Sequence, residues 1–245
     1  MRHGTSATLQ AHRAIREAKP ALRAVYHDYY RRMAARTRPG RTLELGAGTG
    51  WLRALLPDAI LSDVQAAPWL DLVADAQRLP FRSGSLDNIV MLDVLHHVEV
   101  PALFLAEAER VLKPGGRLVM LEPAITPLSR LAFALFHDEP VDMAADPLAA
   151  GTPTPGRDPY ASNQAIPTLL FGRARARFER RFPRLRLAEQ RRLSLFAYPA
   201  SGGFRRFGLI AAWAVAPLLK IEDMLLPLLG PLMAFRLLVT LERRA

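Results

Sequence analysis

The chain has 245 residues, no cysteine and a formal net charge of +10, from 33 Lys and Arg against 23 Asp and Glu. Half of it is hydrophobic and 23% is charged, which excludes a disordered chain and suits one α/β domain with a full core. The missing cysteines exclude disulfides, thiolate zinc sites and thiol nucleophiles; the basic excess admits nucleic acid, an anionic membrane surface or a bias toward arginine.

Residues 1–10 hold no apolar run of the secretory kind, so a cytoplasmic protein is expected. Residues 8–36 place Leu9, His12, Ile15, Leu22, Val25, Tyr26, Tyr29 and Met33 at mostly three- to four-residue steps, the period of a helix, and Pro20 splits it. A helix packed on the sheet edge and a lid over a ligand are both open readings of this segment. Residues 42–52 follow: an apolar strand with Glu44 inside it, then Gly46, Ala47, Gly48 and Gly50, then an expected amphipathic helix. Glycine permits positive φ and close backbone approach where a strand turns sharply, and a helix N-terminus offers unpaired N–H groups. The stretch is therefore expected to be a ligand-binding turn at the first strand of a doubly wound sheet.

A second strand at 59–64 carries Asp63 near its end, where nucleotide-binding folds place an acid for ribose hydroxyls. The third, at 72–76, leads through Asp75 and Ala76 into Gln77-Arg78-Leu79-Pro80-Phe81. A fourth, at 86–93, ends on Asp93, with His96 and His97 on the loop beyond it. An amphipathic helix at 101–112 is stopped by Lys113-Pro114-Gly115-Gly116, and 117–122 is a fifth strand. The order β-α-β-β-α-β predicts a three-layer α/β sandwich.

These motifs together carry a resemblance. Leu-Glu-Leu-Gly-Ala-Gly-Thr-Gly (43–50), Asp63, Ala-Asp-Ala-Gln-Arg-Leu-Pro-Phe (74–81), Ser-Leu-Asp-Asn-Ile-Val (85–90), Val-Leu-His-His-Val (94–98) and Arg-Val-Leu-Lys-Pro-Gly-Gly-Arg-Leu-Val (110–119) resemble the class I S-adenosylmethionine-dependent methyltransferases. The likeness is to the group holding the ubiquinone/menaquinone C-methyltransferases and many small-molecule O-methyltransferases. It implies S-adenosyl-L-methionine as cofactor, with Glu44, Gly46, Ala47, Gly48 and Gly50 as the methionine and backbone cradle. It further implies Asp63 at the ribose, Asp75 and Ala76 at the adenine edge, and Asp93 at the methionyl end. Two departures stand out: the link from 64 to 70 is too short for the usual helix, which shortens the adenine-side wall, and Leu86 replaces the usual phenylalanine.

Past the fifth strand the sequence is individual. Residues 124–170 are rich in Pro, Ala and Asp and contain Phe136-His137-Asp138-Glu139-Pro140. Residues 173–192 hold nine arginines against Glu179 and Glu189, and 184–196 alternates as a sixth strand. Residues 204–234 are very apolar, broken at Lys220-Ile221-Glu222-Asp223, and 235–243 resembles the closing antiparallel strand of the methyltransferase fold. Two short apolar helices are expected between the last two strands, and both insertions are expected to rise over an acceptor pocket. The charge-free runs 207–219 and 224–235 are too short to span a bilayer, which needs ~20 residues. They suit a buried cap or a hairpin at an anionic membrane interface, with the preceding arginines facing head groups.

The division expected is one domain: a helical lid at 1–38, a cofactor-binding core at 39–123, an acceptor-side insertion at 124–183, the sixth strand at 184–199, an apolar helical insertion at 200–234 and the last strand at 235–245. The sheet is expected to be seven-stranded and mostly parallel with an antiparallel last strand. The expected activity is methyl transfer to an apolar or amphipathic small molecule or lipid-linked acceptor, at oxygen, by a cytoplasmic protein that sits peripherally at the inner face of a membrane. A hydroxyl acceptor needs a proton acceptor, for which His97, His96 and His137 are candidates. No metal is expected, because His137, Asp138 and Glu139 are adjacent on one loop and aim apart. A nucleic-acid methyltransferase would use the basic surface, but Asp93-Val94-Leu95-His96 lacks the Asn/Asp-Pro-Pro-aromatic pattern. A non-catalytic cofactor-binding protein would not need the acids at 44, 63, 75 and 93.

Overall fold

The computed structural model describes residues 6–136, 139–205 and 207–245. Two helices lead in, α1 (Ala7–Ala18) and α2 (Pro20–Ala34), divided at Lys19 because Pro20 starts a helix more readily than it continues one. Then come β1 (Thr42–Leu45), β2 (Ile60–Asp63), β3 (Leu72–Val73), β4 (Leu86–Leu92), α3 (Pro101–Val111) and β5 (Leu112–Pro123). The remainder holds α4 (Pro127–Phe136), α5 (Ile166–Leu170), α6 (Arg175–Arg181), β6 (Leu185–Leu193), α7 (Ala197–Ser201), α8 (Ala212–Met233) and β7 (Arg236–Arg243). One seven-stranded sheet runs β3-β2-β1-β4-β5-β7-β6, parallel throughout except for β7, which is antiparallel to β5 and β6. This is the α/β sandwich, with a helical insertion before its antiparallel last strand, that the sequence predicts.

Alternate residues of a strand face opposite sides. On β5, Leu118 and Met120 therefore join α3, α5 and α6 in one apolar layer, through Phe104, Leu170 and Phe178. Val119 and Leu121 join α2, α7 and α8 in the other, through Leu22, Tyr29, Ala197 and Val215. Charged locks hold α2 in place. Arg32 donates to both carboxylate oxygens of Asp223 on α8, at 3.0 and 2.7 Å, and Arg36 to both of Glu189 on β6, each at 2.6 Å.

Three expectations fail. No amphipathic helix follows the glycines: a single 3-10 turn, Leu52–Ala54, lies between β1 and β2, because Pro57 and the short connection leave no room for more. The links from β2 to β4 carry no helix either, so helices from outside residues 42–92, α2 and α8, cover that sheet face. Second, the apolar insertion is one helix of 22 residues and not two, although Pro217, Pro227 and Pro231 lie inside it. The polar break is compatible with helix because Glu222 turns inward to accept the N–H groups of Phe196 and Ala197.

Third, the arginines of 173–192 do not gather as one patch beside that helix: Arg191 pairs with Asp223 of α8 and Arg192 packs on Gly230, but the others lie elsewhere. Phe178 of α6 is buried on the sheet face opposite α8, and Arg175, Arg177 and Arg186 pair with Glu179, Asp146 and Glu242. Charges along the edge strand β6 also discourage pairing with another chain.

Candidate active site

The parallel strands β1, β2 and β4 end on one side of the sheet, where the loops that follow them line a cavity of about 680 Å³. Gly46 has φ +63°, and a Cβ there would stand 2.3 Å from Cγ2 of Val94, so two separate constraints require glycine. Gly48 has φ +49° and nothing nearer to a built Cβ than its neighbour's carbonyl oxygen at 3.8 Å; any side chain would occupy the cavity. The loop is held from three directions. Gly48 N donates to Asp63 Oδ2 at 3.1 Å, Trp69 Nε1 to Gly48 O at 2.8 Å, and Arg16 Nη1 from α1 to Thr49 O at 2.7 Å.

Of the expected cofactor residues, Gly46, Ala47, Gly48, Asp63, Asp75, Ala76 and Asp93 line this cavity together with His96 and His97. Glu44 and Gly50 are not among its lining residues. Gly50, at φ +75°, closes the turn by donating to Ala47 O at 2.7 Å. Glu44 is fully buried in β1, where Tyr30 Oη donates to it at 2.7 Å; burial outweighs that bond and pushes its carboxyl up to about 8. Burial raises Asp63 and Asp93 as well. An open glycine turn, a carboxylate at the end of β2 and a further acid past β3 fit a nucleoside cofactor with hydroxyl and amino donors.

The opposite wall is built from distant parts of the chain. Glu122, at the end of β5, accepts the backbone N–H groups of Val94 and Leu95 at 2.9 and 2.8 Å with one oxygen. Its other oxygen is 2.8 Å from His96 Nδ1, so a single buried carboxylate fixes both the loop and the ring. Glu139 lies 3.5 Å from His96 Nε2 and accepts from Ser162 Oγ at 2.8 Å. Burial opposes charge on His96, but the hydrogen bonds to Glu122 and Glu139 prevail and push it up to about 9. His97, its ring 4.2 Å away, is instead pushed down to about 4 by burial and by the charge of His96. Its Nδ1 is buried with no partner among the described residues.

Asp93 adopts φ +57° and accepts a hydrogen bond from Arg236, whose guanidinium carbon stands 4.2 Å over the Tyr198 ring. Sequence reading missed Glu122, Glu139 as a partner of His96, Tyr198 and Arg236. Glu122 had a signal, an acid ending an apolar strand at the ligand side of the sheet. Arg236 had none, since its partner is 143 positions away. His137 lies outside the described residues. Two groups have donor atoms mutually within 4.8 Å, His96–His97–Glu139 and Asp93–His96–Glu122, and these are the described residues able to hold a cation.

The roof also differs from expectation. Tyr198 and Phe204 line the cavity, but no residue of α8 does; Leu9 and His12 of α1 and Tyr26 and Tyr30 of α2 stand there instead. Residues 153–160 line another side, with Arg157 donating to His97 O at 2.7 Å and Thr154 held by Glu99. No α8 side chain reaches the cavity because its inward residues are spent on α2 and β6.

Comparison with known proteins agrees with this geometry. Residues 43–120 match the family described as methyltransferase domain. The chain is 38% identical over 105 residues to a demethylmenaquinone methyltransferase of Beutenbergia cavernae, covering 37% of this chain and 44% of that protein. It is 31% identical over 99 residues to a malonyl-[acyl-carrier protein] O-methyltransferase of Hahella chejuensis, covering 33% and 36%. The chain thus spans less than half the length of these curated relatives. A solved S-adenosylmethionine-dependent methyltransferase from Archaeoglobus fulgidus shares the fold at TM-score 0.54 and 13% identity, over 89% of this chain and 93% of that one. With its strand order, its antiparallel β7 and its glycine turn, the chain has the fold of class I methyltransferases, and its residues 43–120 match a methyltransferase domain.

Proposed function

We propose that this chain methylates an oxygen of an apolar or amphipathic small molecule or lipid-linked acceptor, which it meets at an anionic membrane surface. The observation that carries the proposal is a single cavity in which the glycine turn and its acids face His97, Tyr198 and Phe204. S-adenosyl-L-methionine, when bound, supplies an activated methyl group on a sulfonium. Gly46, Ala47 and Gly48 let the backbone approach it, Asp63 accepts from ribose hydroxyls, and Asp75 and Ala76 lie at the adenine edge. Glu44 and Gly50 support that turn from outside the cavity.

His97 serves as proton acceptor. It is neutral at neutral pH because burial and the charged His96 hold its pKa down, and it carries the unpaired Nδ1. His96, fixed by Glu122, supplies a positive charge beside the oxygen that loses its proton. Aromatic rings from α2 and from residues 198–204 line this end, with Tyr26 and Phe204 edge to face at 5.6 Å. Nucleic acid is disfavoured as a partner, since many arginines that raise the net charge are engaged in internal ion pairs.

The test is transfer of labelled methyl from S-adenosyl-L-methionine into a total lipid extract, read as label in the organic phase. Wild type is expected to label it, and His97→Ala to lose about 10²–10⁴-fold in turnover with binding of S-adenosylhomocysteine unchanged. Equal turnover of the two proteins from pH 6 to 9, or label confined to water-soluble acceptors, would overturn the proposal.

A further inference from the structure

Among the described residues, the four most exposed large apolar side chains lie just before or along α8, and α4 carries the next most exposed. Leu131 and Phe136 stand on the outer side of α4, Leu209 precedes α8, and Trp213, Met224 and Leu228 follow one another along α8. Leu209, Trp213, Met224 and Leu228 are 82%, 81%, 80% and 78% exposed, values that set them apart from ordinary scattered surface residues. On α8 the exposed positions recur at helical steps, while Val215, Glu222, Leu226 and Gly230 form the buried side. The helices α4 and α8 pack on each other.

The charge around these helices is one-sided. Residues 127–136 and 207–233 contain two acids, Glu222 and Asp223. The first is buried on the N–H groups of Phe196 and Ala197, and the second is paired with Arg32. Lys220 is exposed in the middle of the α8 stripe, Arg130 is exposed on α4, and Arg205 donates to the carbonyl of Phe136. A second copy of the chain would set these cations against their own kind with no acid to meet them. Anionic head groups would meet them favourably.

The depth is limited by the backbone. Pro217, Pro227 and Pro231 lack N–H groups, so the carbonyls of Trp213, Asp223 and Pro227 receive no helical hydrogen bond. Such carbonyls need water, which the head-group layer retains and the hydrocarbon core lacks. No described helix is long and apolar enough to cross a membrane. The helix α4 is also a wall of the cavity, because Phe133 lines the cavity while Leu131 and Phe136 face outward.

We infer that the outer sides of α4 and α8, with residues 207–211 between them, dock on the surface of an anionic bilayer. The helix α8 lies in the plane of the head groups, and α4 is all that separates the cavity from the lipid. That last clause rests on the methyl-acceptor reading; the docking does not.

The full chain is to be co-sedimented with vesicles of phosphatidylcholine alone and with one-quarter phosphatidylglycerol, at low and high salt. S-adenosylhomocysteine binding is measured in the same samples by calorimetry. We expect at least tenfold more protein on the anionic vesicles, release by salt, and quenching of Trp213 by lipids brominated near the head group, absent in Trp213→Phe. Met224→Glu with Leu228→Glu is expected to lose vesicle binding at least tenfold while keeping the wild-type melting temperature and cofactor binding. Wild type remaining in the supernatant at low salt, equal binding by the double variant, or a dimer in light scattering that the double variant dissociates would each overturn the docking face. Retained S-adenosylhomocysteine binding beside a failed vesicle result would leave the methyltransferase reading intact; vesicle binding with no cofactor binding would do the reverse.

Discussion

Residues 42–98 and residues 122–243 build the two sides of one cavity by different physical means. The first side is local: Gly46 and Gly48 precede Asp63 by one strand, and the loop after β4 returns beside them. The second side is assembled across the chain, with Glu122 holding His96, residues 139–164 closing on that ring, and Arg236 reaching Asp93. Backbone constraint positions the first side and buried charge positions the second. Local backbone rules give the first side, while the second depends on pairs whose members are distant in sequence and costly to separate.

The largest expected effect comes from breaking the pair that joins the two sides. Arg236→Met should destabilise the protein by about 2–4 kcal/mol, because it removes a charged hydrogen bond to the half-buried Asp93 and the cation stacked on Tyr198. Adding Asp93→Asn should recover much of that loss, since the uncompensated charge goes with it. Chemical denaturation of the single and double variants checks this; equal destabilisation in both would show that packing of Arg236 over Tyr198, and not charge, holds the sides together.

A smaller effect isolates His96. Its folded pKa of about 9 lies above the ordinary value of 6.5, so its partners stabilise the fold fully below pH 6.5 and lose that contribution as pH rises through about 9. Glu139, pushed down to about 2 by His96 despite burial, gives its full share above pH 4.5 and loses it as pH falls from there through about 2. A hydrogen bond to a charged group contributes about 1.5–3 kcal/mol, so wild type should melt about 3–10 °C above His96→Gln at pH 6.5. The gap should close by pH 10. A gap that stays constant across that range would mean that His96 contributes shape and no charge.

Legibility in the sequence followed the same division. The sheet, its antiparallel β7 and Asp63, Asp75 and Asp93 at or just past strand ends were readable because strand period and glycine turns are local signals. The missing helix after Gly50 was a misreading of Leu52-Arg53-Ala54-Leu55-Leu56-Pro57, a sequence with helical spacing but too few residues before β2. Pro217, Pro227 and Pro231 misled in the opposite direction: an exposed helix side tolerates unpaired carbonyls, so α8 continues through them. Neither Glu122 nor Arg236 announces its partner, because burial and pairing are decided only when β5 and β7 lie side by side.

Cofactor binding by the first side is the most direct test. Calorimetric titration of the full chain with S-adenosylhomocysteine should show one site, and Asp63→Ala should weaken it by about 1–3 kcal/mol, roughly five- to 150-fold, with the fold retained. An intact wild-type protein that does not bind, or an Asp63→Ala variant that binds as tightly as wild type, would contradict the assignment of this cavity to S-adenosyl-L-methionine.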